Sequence, residues 1–198
     1  GYNLAEQPLV RVALDLLSVA TSRGEIEQTR LSGILLAGSW SAADSEADER
    51  ARLDAAMRQE LPCFTSGQAL LRLAERLAQQ GRELCPLTVD ALRRLLDMAS
   101  SGPNRRHASE WADHFRACLG AAGWPGERSL SSSEFQARAA FAEVLDGLAA
   151  LDALLGPIGA TDAVRRLNQI CRQRIFQPET RGNPNIQILG VLDRKSVV

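Results

Sequence analysis

Apolar residues recur at three-, four- and seven-residue spacing along most of this chain, in short windows that glycine or proline closes. That spacing lays them along one face of a helix, not on the alternating face of a strand. Leu and Ala supply 29 residues each of the 198, whereas β-branched and aromatic residues are sparse. Leu and Ala lose little entropy in a helix, and strands prefer branched or aromatic side chains. The expected fold is therefore all-α, an irregular multi-helix bundle of about seven or eight helices with one terminal extended segment.

The windows can be placed in order. Pro8 opens a first helix with Leu9, Val12, Ala13, Leu16, Leu17 and Ala20 on one face. A shorter helix is predicted over about 27–36. Ser41 to Arg58 is rich in charge, with acids first and arginines later, which suits the helix dipole. Its charged stripe reads as a solvated face, and Ala47, Ala51, Asp54 and Met57 as a thin buried one. Thr65 or Ser66 caps the next helix and Thr88 begins another. A sixth runs over about 108–122 into Gly123. Ser131 and Glu134 have capping-box spacing and open the longest helix, whose apolar positions run on to Leu151 and Leu155. Thr161 caps the last helix, ending near Arg174. Beyond it, Ile186 to Leu192 reads as one buried strand, which needs partner strands that the rest of the chain does not offer.

Bulk chemistry narrows the function classes. The net charge of −1 gives no global field towards nucleic acid or anionic membrane, so any such contact must be local. No run approaches the ~20 apolar residues of a membrane span. The opening GYNLAEQPLV lacks the basic start and apolar core of a signal peptide, so the expected compartment is the cytoplasm. Cys63, Cys85, Cys118 and Cys171 form no close pair, and only Cys118 lies near His107 and His114. Neither a zinc site nor any other cofactor is expected. The sole lysine, Lys195, has no glycine-rich loop before it, so no phosphate-binding loop is present. His114 precedes Cys118 by four residues on one helical face, which reads as a surface histidine beside a packed cysteine and not as a catalytic pair. No catalysis is expected of this chain.

Three stretches are less generic. PLVRVALDLLSVA (Pro8 to Ala20) is followed by Ser39 and by Glu49, Arg50, Arg52, Asp54 and Arg58. GWPGERSLSSSEFQ spans Gly123 to Gln136, and FQPETRGNPNIQILGVLD spans Phe176 to Asp193. In this order and spacing they resemble the bacterial family called probable DNA repair proteins. Those proteins are similar to AddB and the RecBCD-type helicase–nucleases, and join a degenerate superfamily-one helicase body to a PD-(D/E)XK nuclease. The resemblance implies that residues 1–175 are a helical accessory subdomain like the insertion in the second motor domain. It implies that 176–193 link and return to a RecA-like motor domain, and that 194–198 are a tail departing from the family pattern. The partners implied are DNA and the remaining motor and nuclease domains, with homodimerisation through the exposed strand as a further route.

Arginine must carry any contact with DNA, since 22 of the 23 Lys and Arg residues are Arg. Arg105 and Arg106 stand at a helix start, where phosphate would also meet free N–H groups. Trp124 and Arg128 lie in a Gly/Pro-shaped loop, Trp124 to stack on a base and Arg128 to take a phosphate. Arg172, Arg174, Arg181 and Asn183 flank the return to the motor. Each has a plainer reading: Trp124 anchoring a loop, Arg128 pairing with Glu127 or Glu134. The rival to a DNA-handling subdomain is a helical adaptor that binds a protein partner and no DNA.

Overall fold

The computed structural model describes residues 1–179. Among them are eight α-helices and six two-residue strands, an all-α architecture. In chain order they are β1 (Tyr2–Asn3), α1 (Pro8–Thr21), β2 (Ile26–Glu27), α2 (Gln28–Leu35), α3 (Ala47–Glu60), β3 (Phe64–Thr65), α4 (Gly67–Gln79) and α5 (Pro86–Ser100). Then come β4 (Arg105–Arg106), α6 (Ala108–Ala121), α7 (Ser132–Ala149), β5 (Ile158–Gly159), α8 (Ala160–Gln173) and β6 (Ile175–Phe176). Single 3₁₀ turns precede α1 (Leu4–Glu6) and follow α7 (Ala150–Ala153).

The helix core lies along α1, which packs on α2, α5, α6, α7 and α8. Its Leu9, Val10, Ala13, Leu14, Leu16 and Leu17 are all buried. Gln7 caps it, its side-chain oxygen accepting from the Leu9 N–H at 2.9 Å, with Pro8 at the first helical position as predicted. The capping box at Ser131 and Glu134 is also as predicted, with Ser131 N–H to Glu134 Oε2 at 2.9 Å and the reciprocal bond at 3.2 Å.

The short strands pair antiparallel as β1–β6, β2–β3 and β4–β5. Four of them, β2 to β5, lead directly into helices, so each pair sets where two helices begin. Two-residue strands carry no readable period, and sequence patterning did not foresee them. The β4–β5 pairing also explains why Gly159, and not Thr161, caps α8: the helix starts where the Arg105↔Gly159 pairing releases the chain. Phe176, placed by sequence in the returning linker, pairs with Tyr2 and is buried in the helical body. The strand expected at Ile186 to Leu192 and the 194–198 tail lie outside the described residues.

Three further expectations are corrected. α7 ends at Ala149, so Leu151 and Leu155 lie beyond it, on the 3₁₀ turn and just after. α5 starts at Pro86, two residues before Thr88. Of the stripe expected on α3, Asp54 and Met57 are buried but Ala47 and Ala51 are exposed; the buried face runs instead from Glu46, just before the helix, through Arg50, Leu53 and Met57, at i, i+4, i+7 and i+11. Arg50 is 2% exposed. Its Nη1 donates to the Leu35 and Ala37 carbonyls at 3.2 and 3.0 Å, its Nη2 to the Trp40 carbonyl at 2.9 Å, and its Nε to Thr88 Oγ1 at 2.7 Å. The guanidinium lies 4.8 Å from the Trp40 ring centroid. Glu46 accepts from the Leu87 and Thr88 N–H groups at 2.7 and 2.8 Å, at the start of α5. The charged stripe is thus partly internal, because both charges find partners that the helices would otherwise leave unsatisfied.

Removing Arg50 strands three carbonyls, those of Leu35 and Trp40 on buried residues. Arg50→Met is expected to cost about 3 kcal/mol. In urea unfolding this reads as a lower midpoint with little change in slope, whereas Arg52→Met, at an exposed position on the same helix, leaves the midpoint nearly unmoved.

Candidate nucleic-acid interface

Burying one face of α1 leaves the other as the floor of a trough. Arg11, Asp15, Ser18 and Ser22 follow at i, i+4, i+7 and i+11 along it. α2 and α8 both pack on α1, and three adjoining hollows run between them: Arg30 lines all three, Arg11 and Asp15 join the first to the second, and Asn168 joins the second to the third. Arg30 rises from the first turn of α2, and Arg165, Asn168 and Arg172 from one face of α8. Arg23, just past the end of α1, closes one end, and Arg128 the other. Six arginines therefore face three lining carboxylates, Glu6, Asp15 and Glu134.

These charges are unevenly compensated. Arg30 donates from Nε and Nη2 to Asp15 Oδ1 at 2.9 and 2.6 Å, and Arg128 forks the Glu134 carboxylate. Arg165 pairs with Asp162 across one turn of α8. Arg23 and Arg172 bond only neutral amides, Asn104 Oδ1 at 2.9 Å and Asn168 Oδ1 at 3.2 Å. Arg11 has no partner among the described residues. Exposed pairs like Arg30–Asp15 are worth roughly 0–1 kcal/mol, so a polyanion can exchange with them at little cost.

The loop Gly123–Arg128 fixes one end of the trough. Gly123 and Gly126 adopt φ of +71° and +100°, and a Cβ at Gly126 would stand 3.2 Å from the Gly38 carbonyl oxygen. That close approach lets Glu127 accept from the Asp44 and Ser45 N–H groups at 3.1 and 2.8 Å. The Trp124 indole donates to the Leu9 carbonyl at 3.0 Å and meets Phe141 edge-on at 5.7 Å.

The residues singled out by sequence do not form one cluster. Arg128 and Arg172 both line the trough, in adjoining hollows. Arg105 is exposed on β4 but donates to the Pro157 carbonyl, and Arg174 pairs with Glu143. Arg106 is only 9% exposed and folds inward over Trp111 at 4.8 Å, which corrects its reading as a phosphate ligand. The adjacent start of α6 is not open to an anion either. Asp152 accepts from the Ser109 N–H at 3.0 Å and Glu110 from the His107 N–H at 2.8 Å, so carboxylates of the chain already occupy that position. Trp124 serves as the loop anchor and not as a stacking platform. Arg181 and Asn183 lie outside the described residues. Arg11, Arg23, Arg30 and Arg165 were missed. The polar face of α1 carried the signal for Arg11, while the other three depend on packing between helices.

Other chemistry is muted. Burial pushes the thiols of Cys118 up to about 11 and of Cys85 and Cys171 up to about 12, which keeps them protonated at neutral pH. Burial, and then Arg106, lowers His114, whose ring meets Trp111 edge-on at 5.5 Å. Among the described residues, no three His, Cys, Asp or Glu side chains gather to hold a metal ion, and no helix is long and apolar enough to cross a membrane.

Hydrogen bonds from Arg128, then from the Ser131 N–H, hold the Glu134 carboxyl down to about 2 from its ordinary 4.5. A depressed carboxyl contributes stability above its unfolded value and loses it as pH falls towards the folded one. The window is therefore between pH 4.5 and about 2. In a carboxyl-detected NMR titration, Glu134 is expected to turn over near pH 2, and in Arg128→Gln at a clearly higher pH.

Comparison with family models, with curated proteins and with solved structures finds no match to this chain.

Proposed function

We propose that this chain is a non-catalytic helical accessory segment of a DNA repair protein of the helicase–nuclease type, and that the trough along α1 is where it touches DNA. The observation that carries the reading is the gathering of six arginines around three carboxylates on a chain whose net charge is −1. A nearly neutral protein that concentrates cations in one concave strip has built a local phosphate-binding field. The resemblance of Pro8–Ala20, Gly123–Gln136 and Phe176–Asp193 to the probable DNA repair proteins supplies the biological setting. Two of those stretches also build the trough: the first is its floor, and the second places Arg128 at its end. ATP hydrolysis and metal-dependent cleavage belong, on this reading, to other parts of the parent protein.

The adaptor reading rests on a different observation, the exposure of Phe64, Phe135, Leu154 and Ile175. The two separate by fluorescence anisotropy with labelled DNA at several salt concentrations. The DNA reading expects log–log salt dependence, with Arg11→Ala plus Arg172→Ala weakening binding about tenfold and flattening the slope by roughly 1.5. Arg93→Ala, outside the trough, should leave both unchanged. Absence of any DNA binding at low salt, or equal effects of all three substitutions, would favour the adaptor.

A further inference from the structure

The trough has dimensions as well as charge. α2 and α8 each pack directly on α1. Packed helix axes lie ~8–10 Å apart, so α2 and α8 stand at most about 20 Å from each other across α1. Each helix with its side chains is ~10–12 Å thick, which leaves an opening of at most about 10 Å. One sugar–phosphate strand fits such an opening, whereas a duplex is about twice as wide. From Arg11 to the end of α1 at Thr21 the helix advances ten positions, about 15 Å, room for roughly two to four phosphates of one extended strand, with Arg23 just beyond. A duplex lying across it would present a backbone that curves away after one or two phosphates.

The lining also indicates which part of the strand is held. None of the residues lining the three hollows is aromatic. Stacking, the usual contribution of bases in single-strand channels, has no platform there. Guanidinium groups and the amides of Asn168 and Asn3 remain, and these suit phosphate and sugar oxygens. Asp15 stands in the middle of the arginines, bonded to Arg30, and is the carboxylate that an incoming phosphate must displace.

We infer that the α1 trough takes a single nucleic-acid strand by its sugar–phosphate backbone, without base stacking, and that Asp15 limits how tightly. This rests on the DNA reading above and goes further in naming the form of the nucleic acid and the residue that sets its affinity. The trough excludes duplex by width and treats base sequence nearly indifferently.

The test compares an oligothymidylate of about fifteen nucleotides with a blunt duplex of the same length, by anisotropy on the whole chain at low salt. The single strand is expected to bind at least about tenfold more tightly, with a log–log salt slope near −3. Asp15→Asn is expected to tighten single-strand binding several-fold, a gain that misfolding cannot mimic. Arg11→Ala is expected to loosen it and to flatten the slope by about 0.7. Duplex binding as tight as single-strand binding would overturn the inference while leaving the DNA reading standing. Unchanged affinity in Asp15→Asn would overturn the role given to Asp15. No binding of either probe would overturn the DNA reading and this inference together.

Discussion

The guanidinium of Arg50 ties together elements that have little else to hold them. α2 is eight residues long, too short to persist on its own. Its C-terminal carbonyl at Leu35, and those of Ala37 and Trp40 beyond it, converge on Arg50, which reaches them from α3 and at the same time bonds Thr88 on α5. The Trp40 indole adds a bond to the Ile34 carbonyl at 2.7 Å. At the other end of α2, Gln28 Nε2 donates to the Leu61 carbonyl at 2.9 Å, and β2 pairs with β3. Arg30 stands on this short helix, so the position of one wall of the trough depends on a buried cation some distance from it. Burial lowers the pKa of Arg50, and nearby carboxylates, Glu46 among them, oppose that shift.

The same economy recurs elsewhere. Helix starts are satisfied by side chains borrowed from other segments: Glu46 at α5 and Asp152 at α6. All three tryptophans donate their indole N–H to a backbone carbonyl, at Ile34, Ile158 and Leu9. These bonds commit the largest aromatic groups to holding loops against helices. With the indoles so committed, the trough is where the packing of α1, α2 and α8 gathers arginine at the surface.

The helices were legible because their burial has a period: α1 and the capping box of α7 appear in the sequence nearly as they stand in the fold. α3 was misread because its buried face is written in charge. Glu46 and Arg50 look solvated until α2 and α5 supply backbone groups for them to meet. The paired two-residue strands were illegible because pairing partners such as Asn3 and Ile175 lie most of the chain apart. Of the candidate site, the sequence showed Arg128 and Arg172 singly. It could not show that they share a trough with Arg30 and Arg165, since that follows from how helices pack and not from spacing along any one of them. Arg106 shows the converse: a residue placed correctly at a helix start whose side chain turns inward over Trp111.

The arginine side chains can be observed directly. In an Nε–Hε correlation spectrum titrated with oligothymidylate, the trough places the changes on Arg11, Arg23, Arg30 and Arg172. Arg50 and Arg106, held inside by carbonyls and indole rings, should stay where they are. Changes confined to arginines outside the trough, such as Arg93, Arg94 and Arg116, would contradict the claim that packing along α1 has built a nucleic-acid site.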